Sequence, residues 1–355
     1  MKILRLTTLL DFGGQEKKYL SFTENPELLR HQYVFSAIGY GGNAERKLKE
    51  RGFEVHVLNR NFSIRNLSNI WAVYRLIKKI RPDVVHAAAA EANFHGIIAA
   101  KLAGVKTILG EEIGIPNHSS IAQKVFRWVY RFADQVIGVS QSVKNHLVNT
   151  GEIPESKGKV IYNPVSIPTP FPRKNSPNFE IVYVGRLEIV KNVETLITAF
   201  AHSNNAHTHL TIVGDGRERH HLEGLTSTLH MDSKITFTGF NSEPSKYLSN
   251  ADLFVLPSFS EGFGIAAAEA MFLKIPVLCS MVGGIPEFVK DGESGWLFDP
   301  KNTAELTEKL NQIIEMDAES LHLIGRNGYD KVINQFTVER YIENLESFYH
   351  QLNHD

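Results

Sequence analysis

The chain's 355 residues are 43% hydrophobic and 22% charged, enough apolar material for two ordinary domains and too much for a disordered chain. A single cysteine, Cys279, excludes an internal disulfide and suits a reducing, cytoplasmic setting; without a Cys pair or a convincing helical His-x3-His, a zinc site is not expected either. The net charge of −1 hides a split, since residues 1–165 hold 23 Lys+Arg against 14 Asp+Glu (+9) and the remainder 15 against 25 (−10), which points to two domains with different partners.

The first ten residues, Met1 to Leu10, carry a charge at Arg5 and no small-residue cleavage site, so they read as holding a first buried strand, Ile3–Thr7, rather than a leader. Strands follow at Tyr33–Ile38, Glu54–Leu58, Val84–Ala88, Thr107–Leu109, Gln135–Val139 and Val160–Tyr162. Helical patterns separate them at Gly14–Leu29, Ala44–Glu50, Leu67–Lys79, Asn93–Leu102, Ser119–Arg131 and Ser142–Val148. Several strands are unbroken β-branched runs, the mark of a parallel sheet covered on both faces. The prolines between Pro164 and Pro177 forbid helix and central strand. They set a linker at residues 166–179 between a domain of residues 1–165 and one of residues 180–336. Strands then resume at Glu180–Val184, Leu210–Val213, Ile235–Thr238, Leu253–Leu256 and Val277–Cys279, and Val338–Leu352 reads as an amphipathic helix. The expected fold class is α/β, two doubly wound Rossmann-like domains facing across a cleft, with residues 337–355 crossing back to the first domain. In such sheets ligands bind at the carboxyl ends of strands. No run of about 18 apolar residues offers a membrane span.

Four strand ends could carry chemistry. Gly13-Gly14, in Asp11-Phe12-Gly13-Gly14, lets backbone approach a ligand at a helix start, but it is not the G-x-G-x-x-G of a nicotinamide site. Arg186 and Lys191, five apart after a strand, could neutralise a departing diphosphate without metal. The turn Val213-Gly214-Asp215-Gly216 reads as structural. The richest is Glu261-Gly262-Phe263-Gly264-Ile265-Ala266-Ala267-Ala268-Glu269, two carboxylates bracketing a helix N-terminus that suits an anion. A nucleotide sugar, with hydroxyls on either side of a diphosphate, matches that layout; a turn Glu plus a paired helix Glu is the bland alternative. No Asp-x-Asp occurs, so no metal is expected.

Taken in order, these motifs with Gly283-Gly284-Ile285-Pro286-Glu287 resemble the retaining GT-B glycosyltransferases of family 4, almost continuously from Ser258 to Pro300 and more loosely in the front half. The resemblance implies that Arg186 and Lys191 hold the donor diphosphate, that Glu269 grips ribose hydroxyls and that Glu261 contacts donor-sugar hydroxyls. It further implies that the backbone of Gly262, Phe263, Gly264 and Ile265 meets sugar and phosphate, and that Gly13 and Gly14 close over the diphosphate. The implied donor is a nucleotide-diphosphate sugar, UDP-type as first guess, with no cofactor. The implied acceptor is a glycan or lipid-linked glycan, as in surface polysaccharide synthesis. Two departures stand out. Glu112 sits where relatives often carry a His, so Glu111, Glu112 or His118 becomes the candidate for orienting an acceptor hydroxyl, while His86 matches a strand-end His that burial would explain equally well. Lys274 replaces a frequent Gly. The basic first domain, with Lys124, Arg127 and Arg131 among aromatic residues, suits either contact with an anionic membrane at the inner face or a packed helix with a solvated edge. No nucleic-acid partner is expected. Competing readings are a nucleotide-sugar epimerase of the same architecture and a binding protein that lost turnover.

Overall fold

The computed structural model describes residues 1–11, 13–173, 176–203 and 206–354, the last two without their side chains. Phe12 of the first glycine motif, and residues 174 and 175 of the linker, therefore lie outside the described residues. The chain divides into two units, Met1–Val165 with Val338–Asp355, and Ser166–Thr337.

The first unit opens with β1 (Lys2–Thr7), α1 (Gly14–Phe22), β2 (Gln32–Ala37), α2 (Asn43–Glu50), β3 (Glu54–Val57), α3 (Ser68–Ile80) and β4 (Val84–Ala88). It continues with α4 (Ala90–Ala103), β5 (Thr107–Glu112), α5 (Ser120–Tyr130), β6 (Gln135–Gly138), α6 (Gln141–Asn149) and β7 (Gly158–Val160). The sheet is parallel in the order β3-β2-β1-β4-β5-β6-β7. Its central strands are buried almost throughout, as β-branched runs covered on both faces require.

Several expected boundaries move, two of them for a readable reason. The helix expected over Gly14–Leu29 stops at Phe22, where the Thr23 hydroxyl turns back to the Tyr19 carbonyl at 2.6 Å, and Pro26 starts a separate short 3-10 turn. The strand expected over Thr107–Leu109 runs on to Glu112. Gly110-Glu111-Glu112 looks like a loop only because the partners that keep both carboxylates inside come from elsewhere in the chain.

The second unit holds β8 (Phe179–Val184), α7 (Val193–His202), β9 (Thr208–Val213), α8 (Arg219–Thr228), β10 (Ile235–Gly239), α9 (Ser245–Leu248) and β11 (Leu253–Leu256). After these come α10 (Ile265–Phe272), β12 (Val277–Ser280), β13 (Trp296–Phe298), α11 (Thr303–Ile314) and α12 (Ala318–Ile333). Its parallel order is β10-β9-β8-β11-β12-β13. Strand order reverses between β8 and β11, as it does between β1 and β4 in the first unit. Such switch points are where open α/β sheets bind ligands.

The last helix, α13 (Val338–His354), belongs to the first unit. It buries Tyr341, Leu345, Phe348 and Tyr349 against α1 and β2, with Tyr341 meeting Phe22 at 5.6 Å. Each such side chain contributes about 1.5–3 kcal/mol. Glu346 of the same helix accepts from the Arg30 N–H at 2.8 Å.

A charged cluster lies beneath α13. Arg5, fully buried on β1, donates to the Tyr349 hydroxyl at 2.9 Å and to Oε2 of Glu111 at 3.0 Å. Lys18 pairs with the other Glu111 oxygen, and Nε2 of His86 lies 2.9 Å from Oε2. Burial alone would push the Glu111 carboxyl up, but Lys18, His86 and Arg5 together hold it well below the usual carboxylate range. Burial and the Arg5 charge hold His86 neutral, its pKa lowered to about 3.

Candidate active site

The site is built where β8 and β11 end side by side. After β8 the chain turns at Gly185, where a side chain would strike the Tyr183 hydroxyl 2.5 Å away; that hydroxyl donates to the Arg186 carbonyl at 2.9 Å. A 3-10 turn, Ile189–Lys191, leads to Asn192 in the left-handed region at φ 54°. Buried Asn192 donates its amide to the carbonyls of Pro257 and Pro300, each at 3.0 Å, and the Phe259 N–H meets the Val190 carbonyl at 2.9 Å. These bonds sew the loop after β8 to the loop after β11 and fix where Lys191 can reach.

Lys191 reaches Glu261. Its Nζ donates to Oε1 at 2.6 Å, and the buried Ser258 hydroxyl donates to the same oxygen at 2.7 Å. The pair keeps partial access to solvent, with side-chain exposures of 19% and 11%, so an incoming anion can compete for the lysine. Arg186 is exposed on the same loop.

Backbone strain marks the helix start. Gly264 has φ 102°, and a Cβ there would sit 2.2 Å from Ile285 Cδ1, so only glycine fits. No side chain caps α10, leaving its first N–H groups for another partner. Gly262 and Ile265 flank that start half-buried, while the Phe263 ring turns inward between Phe288 at 5.3 Å and Phe336 at 4.9 Å. Phe263 can therefore offer a ligand its backbone only. Glu269 lies one turn further along α10, 5% exposed. Gly283, at φ 56°, brings the loop after β12 so near the Glu261 carbonyl that a Cβ would be 1.7 Å away. Lys274 takes φ 60° just past α10, which explains why glycine suits that position. The turn at Gly214 is structural, its backbone packed on that of Gly185.

In the first unit, Gly13 and Gly14 open α1 at the end of β1, the strand beside that sheet's own switch point. Glu112 is not a loop carboxylate. It ends β5 at 4% exposure, and its Oε1 accepts from the Tyr130 hydroxyl and from Asn93 Nδ2 at 3.0 Å. Burial raises its pKa to about 7 against the opposing effect of those bonds. His118 is stacked on Phe126 at 4.3 Å and bonded to Glu152 at 3.0 Å rather than solvated. Burial works against its imidazolium, but Glu152 and then Glu112 outweigh it and raise the pKa. Glu111 and His86 are committed to the cluster beneath α13, so neither is available to an acceptor hydroxyl. Sequence reasoning missed Ser258, Asn192, Asn93 and Glu152. Asn192, just after the 3-10 turn, was a readable signal for one, since Asn tolerates the left-handed region.

Two family models match the chain: "Glycosyltransferase Family 4" over residues 13–167 and "Glycosyl transferases group 1" over residues 170–331. The chain is 25% identical over 272 residues to the N-acetyl-alpha-D-glucosaminyl L-malate synthase of Bacillus anthracis, an alignment covering 73% of this chain and 70% of that one. It is 25% identical over 324 residues to the UDP-Gal:alpha-D-GlcNAc-diphosphoundecaprenol alpha-1,3-galactosyltransferase of Escherichia coli, covering 84% and 83%. Among solved structures, Anabaena Alr3699/HepE in complex with UDP and glucose superposes with a TM-score of 0.86 at 24% identity, covering 99% of this chain and 100% of that one. That likeness establishes the shared GT-B architecture.

Proposed function

Because this chain belongs to the family 4 GT-B glycosyltransferases, we propose that it moves a sugar from a nucleotide-diphosphate donor to a glycan or lipid-linked glycan, with retention of anomeric configuration and without metal. The observation that carries this reading is the 2.6 Å contact between Lys191 and Glu261 at the β8–β11 switch point, beside the uncapped start of α10.

A donor diphosphate against the α10 amides draws Lys191 and Arg186 to its oxygens, and Glu261 is released toward sugar hydroxyls. Glu269, deeper on α10, takes the ribose. As the bond between the anomeric carbon and the phosphate oxygen breaks, both cations stabilise the charge growing on the leaving group, an effect worth about 10²–10³ per well-placed donor. The acceptor hydroxyl attacks on the face the leaving group vacates and passes its proton to the diphosphate. The relatives' names, which include a diphosphoundecaprenol acceptor, support a lipid-linked acceptor and a place at the inner face of a membrane in surface polysaccharide synthesis. UDP is the first nucleotide to test, since it is the one bound in the HepE complex.

A thermal-shift panel of nucleoside diphosphates tests the donor class. The right one stabilises the protein by roughly 2.7 kcal/mol at a hundred times its dissociation constant. NMR of the product then reads the linkage: an α-linked product from an α-linked donor is expected, and an inverted linkage overturns the mechanism. Conversion of donor into a different nucleotide sugar without acceptor would identify an epimerase instead.

A further inference from the structure

We propose that the face of the first unit carrying α3 and α5 docks on an anionic phospholipid surface. The inference deepens the lipid-linked acceptor reading above and rests on it for its purpose, though not for its observations.

On α3 the two helix faces separate cleanly. Asn69, Val73, Leu76, Ile77 and Ile80 are buried. The opposite face presents Leu67 at 61% exposure and Trp71 at 53%, spaced four apart, where helical neighbours share a face. Tyr74 stacks on Trp71 at 4.8 Å with planes 8° apart, and the Arg75 guanidinium lies 5.5 Å over the Trp71 ring. Lys78 continues that stripe one turn on. Residues 55–82 contain six Lys or Arg and no Asp or Glu. Among the described residues, none of those six makes an ion pair.

The same pattern recurs on α5. Phe126, Val129 and Tyr130 pack inward, while Ile121 at 77% and Trp128 at 49% face out beside Lys124 and Arg131. The two helices share a side of the sheet. Their crossovers, β3 to β4 and β5 to β6, run in the same direction across it, and right-handed connections then place both helices on one face. Between them α4 touches each and ends in exposed Lys101 and Leu102. Across residues 55–133 there are 11 Lys or Arg and 4 Asp or Glu, and two of those acids, Glu111 and Glu112, are buried.

Exposed tryptophans with aliphatic neighbours and uncompensated cations are the chemistry of the lipid headgroup boundary. The rings sit at that boundary, lysine and arginine stems lie along it, and their charges meet acidic headgroups. Nucleic acid would satisfy the charge, but it offers nothing to Leu67 and Ile121.

The test is co-sedimentation of the full chain with phosphatidylcholine vesicles, with and without phosphatidylglycerol. Binding is expected only with the anionic lipid and should weaken with salt. Two double variants, Lys78→Glu with Lys79→Glu and Trp71→Ala with Trp128→Ala, should each lower partitioning by about tenfold. Equal binding to neutral vesicles, undiminished binding by either double variant, or capture of polyuridylate in place of vesicles overturns the docking face. The same preparations are run through the nucleoside-diphosphate thermal shift. A retained shift with no vesicle binding sinks this inference alone, and vesicle binding with no shift sinks the glycosyl-transfer reading alone.

Discussion

Two ion clusters sit near the ends of this protein's two sheets, and they are opposites. In the first unit Glu111 faces Arg5, Lys18 and His86 with side chains no more than 1% exposed, and its charge is answered inside. In the second unit Glu261 meets Lys191 with a tenth to a fifth of each side chain open, and Arg186 stands nearby with its own side chain exposed. A closed cluster cannot exchange partners without unfolding something, so it specifies structure. A half-open cluster exchanges a carboxylate for a phosphate at little cost, so it serves a ligand. A perturbed titration alone does not mark the site, because Glu111 and His86, both strongly shifted, belong to the structural cluster.

The sharpest way to break this contrast is to remove the lysine from the half-open cluster. Lys191→Ala should lower kcat/KM for transfer by about 10³-fold or more, equivalent to about 4 kcal/mol of transition-state stabilisation, while the unfolding curve stays in place. Near-wild-type transfer by this variant would make the Lys191–Glu261 pair an ornament of the loop.

How much of this was legible beforehand follows from where the partners lie. The loop after β11 announces itself within nine residues through its glycines and paired glutamates, and so do the strand-ending turn at Gly185 and the proline-rich stretch before β8. The closed cluster is invisible in the sequence because Arg5, Lys18, Glu111 and Tyr349 span most of the chain and meet only once the sheet and α13 are assembled. Gly110-Glu111-Glu112 therefore reads as a loop although it is buried strand. Strand β13 escaped for a different reason: Trp296–Phe298 is three residues long, too short for any periodicity to show.

Next in size is the structural cluster itself. Glu111→Ala leaves Arg5 and Lys18 buried without a counter-charge, and the first unit should lose about 3–5 kcal/mol. The measurement is a urea titration followed through the first unit's transition, because two units need not unfold as one. A folded, equally stable variant would show that water or a shifted side chain replaces Glu111, and the closed cluster would then be no better sealed than the open one. The pH behaviour follows from the same bonds. The Glu111 pKa is depressed in the fold, so its contribution is present above the unfolded carboxylate range and is lost as pH falls through the folded value.

The smallest expected effect has the opposite sign and comes from the next residue. Glu112 is buried beside Tyr130 and Asn93 with no cation in contact, and its pKa rises from 4.5 to about 7. Between those values the folded chain holds a proton that the unfolded chain has released. The Glu112 contribution to stability therefore falls as pH rises across that window, by roughly 3 kcal/mol in all, and levels off above it. Glu112→Gln keeps a carbonyl oxygen for the Tyr130 hydroxyl and the Asn93 amide but cannot ionise. The variant should match the parent at about pH 4 and exceed it at about pH 8, by up to that amount less any loss in hydrogen-bond geometry. Urea midpoints for both proteins across the range read this directly. Parallel curves would mean that Glu112 reaches solvent and ionises freely, placing it with the half-open carboxylate of the second unit rather than the sealed one beside it.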